Sequence, residues 1–420
     1  MKKIILFVII SLSFSIKQAY GQDELDWKDC VREAKERHPD LISAAEDIRQ
    51  AAKDLDIDVA SVLPQVTSSA SGKRGKSASG KTGNTYAYSM TGEQLIFDGF
   101  KTSSGVSSLY KTFKAAEYTY AVTSSDIRLD LRSSFVELLK AQELIALTEE
   151  IAERRRQNLE LVKLRYEAGR EHRGSLLTAQ ADLAQAEFEV AQARRNISLV
   201  QRKLTKELGR DAKTDLNVKG AFAITGNYDY APDFENLADM TPFLKELITR
   251  KEAARYDLLS EESDFFPQVY LNTTAGRTGS SLMPRGDQWS AGLSISLPLF
   301  EGGSRAAEVS KARSAYDQAK ADERSGRDSV LVTLETTWKD LQDGIANVSV
   351  KNKFLEAARE RAKITTAQYE KGLTSFDDWV IIENSLVNAK KEFLDAQAGM
   401  LIDEAYWVQA IGGTLEYDEK

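Results

Sequence analysis

The stretch Leu164-Arg165-Tyr166-Glu167-Ala168-Gly169 lies deep in a long helix-forming pattern and returns as Ala367-Gln368-Tyr369-Glu370-Lys371-Gly372. The shift that carries Tyr166 onto Tyr369 also carries Pro39 onto Pro242, Leu63-Pro64-Gln65-Val66 onto Phe266-Pro267-Gln268-Val269, and Gly209 onto Gly412. Phe97-Asp98-Gly99 likewise falls on Phe300-Glu301-Gly302. One offset held without insertion marks two copies of one structural unit. The chain divides accordingly into a leader at 1–21, a first repeat at 22–215 and a second at 216–420.

Around each Tyr-x-x-Gly stretch the pattern is helical. From Gly99 to Arg165 there is no proline, and about 67 residues of helix would span about 100 Å. Leu131, Phe135, Leu138 and Ile145 form a seam, copied by Leu334, Trp338, Leu341, Ile345, Val348 and Leu355. That spacing suits coiled-coil packing. Gly169 and Gly372 allow the chain to reverse, because glycine tolerates positive φ. A return arm follows with Ala186, Val190, Ala193, Ile197, Val200 and Leu204, matched by Ala389, Phe393, Ala396 and Met400. Each repeat thus holds an antiparallel helical hairpin, with tips at 166–175 and 369–378. The return arm covers about half the outgoing length. A non-periodic belt at 209–240 separates it from a helix beginning near Pro242, and the two pieces read as one broken arm. The C-terminal Gly412-Gly413 and its acidic tail should join that belt.

Between a short helix ended by His38-Pro39, a second helix from Asp40 to Val62, and the long arm, the period changes to two. In the hairpin 65–97, Tyr86, Tyr88 and Met90 alternate with Thr85, Ser89 and Thr91. In the hairpin 268–298, Val269, Leu271, Thr273 and Ala275 alternate with Gln268, Tyr270, Asn272 and Thr274, and Trp289, Ala291, Leu293, Ile295 and Leu297 alternate with Ser and Gly. Alternating segments with aromatics at their ends are a weak signature of an outer-membrane barrel, the alternative being an ordinary soluble hairpin. Four strands cannot close a barrel, since single-chain barrels begin at eight. An open sheet cannot sit in lipid with its edge groups unsatisfied. Several chains must therefore combine if these strands cross a membrane.

Residues 1–21 carry Lys2 and Lys3, an apolar run from Ile4 to Phe14, and Ala19-Tyr20-Gly21 before Gln22. This reads as a cleaved secretory signal peptide. Past it, no apolar run approaches the roughly 20 residues of a transmembrane helix. The net charge is −8 and becomes more negative without the leader, which argues against a nucleic-acid binder. The sole cysteine, Cys30, reads as a semi-buried packing residue, so an exported chain must be stabilised without an internal disulfide.

Gly75-Lys76-Ser77-Ala78-Ser79-Gly80-Lys81-Thr82 fits the phosphate-loop pattern, but an alternating strand follows it where a helix should begin. We read it as a solvated hairpin loop. His38 and His172 lack the Cys or carboxylate spacing of metal ligands and read as surface residues. No catalytic constellation and no cofactor site is indicated, so no enzyme is expected.

Taken in order, His38-Pro39-Asp40-Leu41, Leu63-Pro64-Gln65, Phe266-Pro267-Gln268, Leu95-Ile96-Phe97-Asp98-Gly99, Leu297-Pro298-Leu299-Phe300-Glu301-Gly302-Gly303 and both Tyr-x-x-Gly tips resemble TolC-type outer-membrane efflux ducts, the outer membrane factors. The resemblance covers essentially the whole mature chain. It implies an α+β membrane protein and a homotrimer. The helical hairpins would form a periplasmic α-barrel, and four strands per chain would contribute to a twelve-strand β-barrel in outer-membrane lipid. It implies a passive conduit of a tripartite efflux or type I secretion system. An inner-membrane pump of RND or ABC type would supply the energy, and a periplasmic adaptor (a membrane fusion protein) would dock at the tips, here Tyr166, Gly169, Tyr369 and Gly372. Members constrict the pore with inward aspartates after the second glycine. Asp378 stands at one such place, Ile381 occupies the next, and Asp377 is the available substitute. The other reading of Asp378 is a helix N-cap. The alternative for the chain is a periplasmic coiled-coil scaffold or adaptor without a membrane barrel.

Overall fold

The computed structural model describes residues 23–76, 82–224, 226 and 228–417. The leader at 1–21 and most of the phosphate-loop-like stretch, 77–81, lie outside the described residues. In chain order the elements are β1 (Asp23–Leu25), α1 (Trp27–Arg37), α2 (Pro39–Ala60), β2 (Gln65–Lys76), β3 (Thr82–Phe97), α3 (Lys101–Glu167) and α4 (Arg173–Glu207). There follow β4 (Leu216–Val218), α5 (Phe234–Met240), α6 (Pro242–Ser263), β5 (Gln268–Gly279), β6 (Gly286–Ser296), α7 (Ser304–Glu370) and α8 (Phe376–Ala410).

The two long arms, α3 and α7, are each 67 residues, and the return arms α4 and α8 are each 35. At one end of this helical body lies an antiparallel sheet of order β2-β3-β5-β6. Its central pairing, β3 with β5, joins the two repeats, while among the described residues β2 and β6 each keep one edge unpaired. Directly opposed residues share a face. Met90 and Ala275 lie across from each other, as do Leu271 and Leu293 and Ala275 and Trp289, and Val66 falls on the same side. The other face carries Thr91 opposite Thr274 and Ser69 opposite Ser89, whose hydroxyls lie 3.4 and 2.9 Å apart. One face is therefore apolar and the other hydroxyl-lined. Among the described residues no helix is long and apolar enough to cross a membrane.

The return differs from the expected broken arm. The end of α4 abuts the start of α2, not of α6. At Gly209 (φ 71°) a Cβ would lie 2.4 Å from the Arg37 carbonyl oxygen. At Gly412 (φ 79°), past α8, it would lie 2.2 Å from Pro242 Cδ at the start of α6. Only glycine combines this left-handed turn with so close an approach. Stacked end to end, a 35-residue and a 22-residue helix span about 85 Å, a little less than α3. Each repeat therefore completes its own strut, the helix that ends it standing on the helix that begins it. The sequence places α4 and α6 in succession, and only the packing shows that they are not collinear.

The belt surrounds these joints. Leu131, Phe135 and Leu138 of α3 pack with Leu204 and Leu208, with Cys30 and Ala34 of α1, and with Leu216, Val218 and Leu415. The C-terminal tail thus joins the belt, and the Leu415 N–H donates to Ser124 Oγ at 3.1 Å. The strands β1 and β4 pair in parallel over three residues each, too short to read from periodicity. The Gln142 amide donates to the Val218 carbonyl and accepts the Val218 N–H, both at 2.9 Å, and so completes their ladder. Burial pushes the Cys30 thiol up to about 12, so it is a packing residue and not a nucleophile. His38, expected at the surface, is buried: its Nδ1 accepts the Asp40 N–H to cap α2, and its Nε2 lies 3.5 Å from Glu207 Oε2 across the joint.

Gly169 (φ 68°) has open space where a Cβ would project, so alanine there should cost only the left-handed penalty of about 1–2 kcal/mol. Gly209→Ala adds the collision with Arg37 and should cost clearly more than Gly169→Ala. Thermal unfolding of the two variants decides it, and equal midpoints would mean that the joint is not tight.

Candidate functional site

The tips are built by local rules before they touch. At the end of α3 the Gly169 and Arg170 N–H groups return to the Tyr166 and Arg165 carbonyls, at 2.9 and 2.8 Å. At the end of α7 the Gly372 and Leu373 N–H groups return to those of Tyr369 and Gln368, both at 2.9 Å. This pair of hydrogen bonds closes a helix over a left-handed glycine. The helices restart on side-chain caps. His172 Nδ1 accepts the Ser175 N–H at 3.2 Å, and Ser375 Oγ accepts the Asp378 N–H at 3.1 Å. The cap of α8 is thus Ser375, not Asp378. Asp377 and Asp378 stand exposed in the first turn of α8, where the unpaired amides favour negative charge.

The tip tyrosines, equivalent in sequence, have different surroundings. Tyr166 is 38% exposed and Tyr369 fully buried. The Tyr369 ring stacks on Trp379, centroids 4.3 Å apart and planes 9° from parallel, with Phe376 beside them. Its other partners come from the opposite hairpin. The Arg165 guanidinium lies 4.5 Å from the ring centroid and donates to the Tyr369 carbonyl at 2.7 Å, and the Tyr369 hydroxyl donates to Glu171 at 2.8 Å. Val162 and Ala179 fill the remaining space. Burial and the Glu171 bond raise the Tyr369 hydroxyl well above its ordinary value. Burial pushes the Glu171 carboxyl upward, but bonds from Tyr369, Ser175 and the His172 N–H outweigh this and hold it below the usual range. The sequence signal for this asymmetry is the pair Phe376 and Trp379, which the repeat offset places on Arg173 and Leu176.

Farther from the tips, an ion pair with a buried carboxylate and a partly exposed guanidinium joins α3 to α8. Arg154 grips both oxygens of Glu383, at 2.6 and 2.7 Å, and Thr366 of α7 donates to the same carboxylate at 3.2 Å. Glu383 is 1% exposed, and these bonds lower its pKa against the upward push of burial. Arg155 adds a bond to Asn384, and Lys390 and Lys391 reach Glu150 and Glu189, each at 2.6 Å. The two hairpins are thus clamped over several turns, while Leu373, Asp377 and Asp378 face outward. Among the described residues no group of His, Cys, Asp and Glu is placed to hold a metal ion.

Comparison with known proteins agrees over nearly the whole chain. A family model described as outer membrane efflux protein matches residues 30–210 and 235–413. Outer membrane protein TolC of Escherichia coli (strain K12) is 23% identical over 455 residues, taking in 100% of this chain and 88% of the relative. Outer membrane efflux protein BepC of Brucella suis biovar 1 (strain 1330) is 19% identical over 373 residues, 86% of this chain and 81% of the relative. Among solved structures, the open-state MtrE outer membrane channel of Neisseria gonorrhoeae superposes with a TM-score of 0.84 at 18% identity, covering 94% of this chain and 90% of that one.

Removing Arg154 strands the buried Glu383 carboxylate, so Arg154→Ala should cost about 3 kcal/mol, read from thermal unfolding. The Glu171 carboxyl, lowered in the fold, contributes fully above its ordinary value of 4.5. That contribution is lost as the pH falls through the lower folded value. Protease sensitivity at the tips should therefore rise in that acid window, and Glu171→Gln should flatten the rise.

Proposed function

Because the chain belongs to the outer membrane efflux protein family, whose members are outer-membrane channels and not enzymes, we propose that it is the exit duct of a tripartite efflux or type I secretion assembly. The observation that carries this reading is the four-stranded sheet with two free edges, set at the end of arms 67 residues long. In lipid the free edge of β2 must pair, and β6 of another copy offers the complementary edge. Three copies supply twelve strands, above the eight at which barrels begin. With the apolar face outward, Trp289, Leu293 and Ile295 meet lipid, and the hydroxyl face lines the conduit. The arms, about 100 Å long, then reach across the periplasm toward the inner membrane.

At the far end, Tyr166, Gly169 and Gly372 form the surface on which a periplasmic adaptor, a membrane fusion protein, docks. Tyr369 lies beneath and fixes the two hairpins to each other. Asp377 and Asp378 supply negative charge at the constriction. An inner-membrane pump of RND or ABC type supplies the energy, since a duct of hydroxyls and amides performs no chemistry of its own. Exposed Leu373 beside the aspartates supports a contact surface at this place.

The detergent-corrected molar mass of protein extracted from outer membranes tests the assembly. A trimer is expected, and a soluble monomer or dimer would replace the duct with a periplasmic scaffold. In planar bilayers Asp378→Asn should lower cation preference and divalent-cation block, and unchanged selectivity would remove Asp378 from the constriction.

A further inference from the structure

We infer that Arg74 and Lys76 form a binding site on the outward wall of the sheet for a phosphate monoester on a glycolipid of the outer leaflet. The inference rests on the outer-membrane duct reading. It begins in composition. Between Gln65 and Gly92 the chain has Lys73, Arg74, Lys76 and Lys81 and no acidic residue, although its net charge is −8. Alternation then sorts these cations. Arg74 lies opposite Asn84 and Lys76 opposite Thr82, on the face that carries Val66, Met90 and Leu293. Lys73, opposite Thr85, falls on the hydroxyl face.

Height comes next. Below Arg74 on the same face, the Tyr86 ring covers Gly72, 3.3 Å from where a Cβ would stand, and Tyr88 lies opposite Ala70. From Phe97 to Tyr86, a strand tilted by about 40° rises about 28 Å. That matches the apolar band of a barrel, with aromatics at its two boundaries. Arg74 and Lys76 stand two and four residue pairs beyond the upper aromatics, at the level of lipid head groups. They are on the side away from the helices. Both are exposed, and neither makes an ion pair with a described residue. Asp287, the acid on this face of the described strands, is held by Arg277 at 2.6 Å.

Chemistry selects the ligand. Successive same-face residues stand about 7 Å apart, so one anion can be shared between a guanidinium fork and an ammonium. A phosphate monoester carries about −1.5 to −2 charges near neutral pH. A zwitterionic head group brings its own cation and needs neither side chain.

Native mass spectrometry of the mature protein extracted from outer membranes tests this. The probes are bisphosphorylated lipid A, the same glycolipid with its phosphates removed, and phosphatidylglycerol. The wild type should retain the phosphorylated glycolipid at least tenfold better than either of the others. Arg74→Gln with Lys76→Gln should lower that retention at least fivefold. Lys73→Gln, which removes a charge from the opposite face, should leave it unchanged. Equal retention of the three lipids, or an equal loss in Lys73→Gln, would overturn the inference. The same spectra report copy number: a mass that is not trimeric sinks the duct reading and this site together, whereas a trimer without lipid preference sinks the site alone.

Discussion

A strand edge surrounded by hydrocarbon has no water to bond, and this structure has two such edges, on β2 and β6. Most of the architecture answers to them. The sheet mixes strands of both repeats, so neither repeat could form it alone. Its two faces differ so thoroughly that only one can meet lipid. The two edges are a hydrogen-bonding demand, which would drive assembly more than any hydrophobic patch.

Away from the membrane the problem is reversed, because water is plentiful and a long helix needs lateral support. The seams supply it with a thin core of leucine, alanine and valine, thickest in the belt where α1, the strands β1 and β4 and the C-terminal tail gather. Toward the tips apolar burial thins, and ion pairs and one aromatic stack take over. A contact dominated by carboxylates, guanidinium groups and a tyrosine hydroxyl is more sensitive to its surroundings than a leucine seam.

Much of this was legible in the sequence, for physical reasons that can be named. The helices declared themselves through length and spacing, the strands through alternation, and the duplication through Tyr166 and Tyr369, Pro39 and Pro242, and Gly209 and Gly412. What did not show depended on distant partners. His38 is buried because a helix from the end of the same repeat sits on it. Tyr369 differs from Tyr166 because Trp379, Arg165 and Glu171 converge on one and not the other. The three-residue strands β1 and β4 have too little sequence to carry a period, and their ladder is completed by Gln142. The collinearity of α4 with α2 was hidden because chain order suggested another successor.

Those joints have a mechanical consequence. Of the struts that connect tip to sheet, α3 and α7 are unbroken, while the two beside them are each made of separate helices meeting at Gly209 and Gly412. A continuous rod transmits torque along its length, but a butt joint transmits compression and little else. Displacement of a return arm can therefore be absorbed at the belt, where it pivots on a glycine, while α3 and α7 carry twist through to the sheet. Of the struts, only the jointed pair can give in length without passing twist to the sheet.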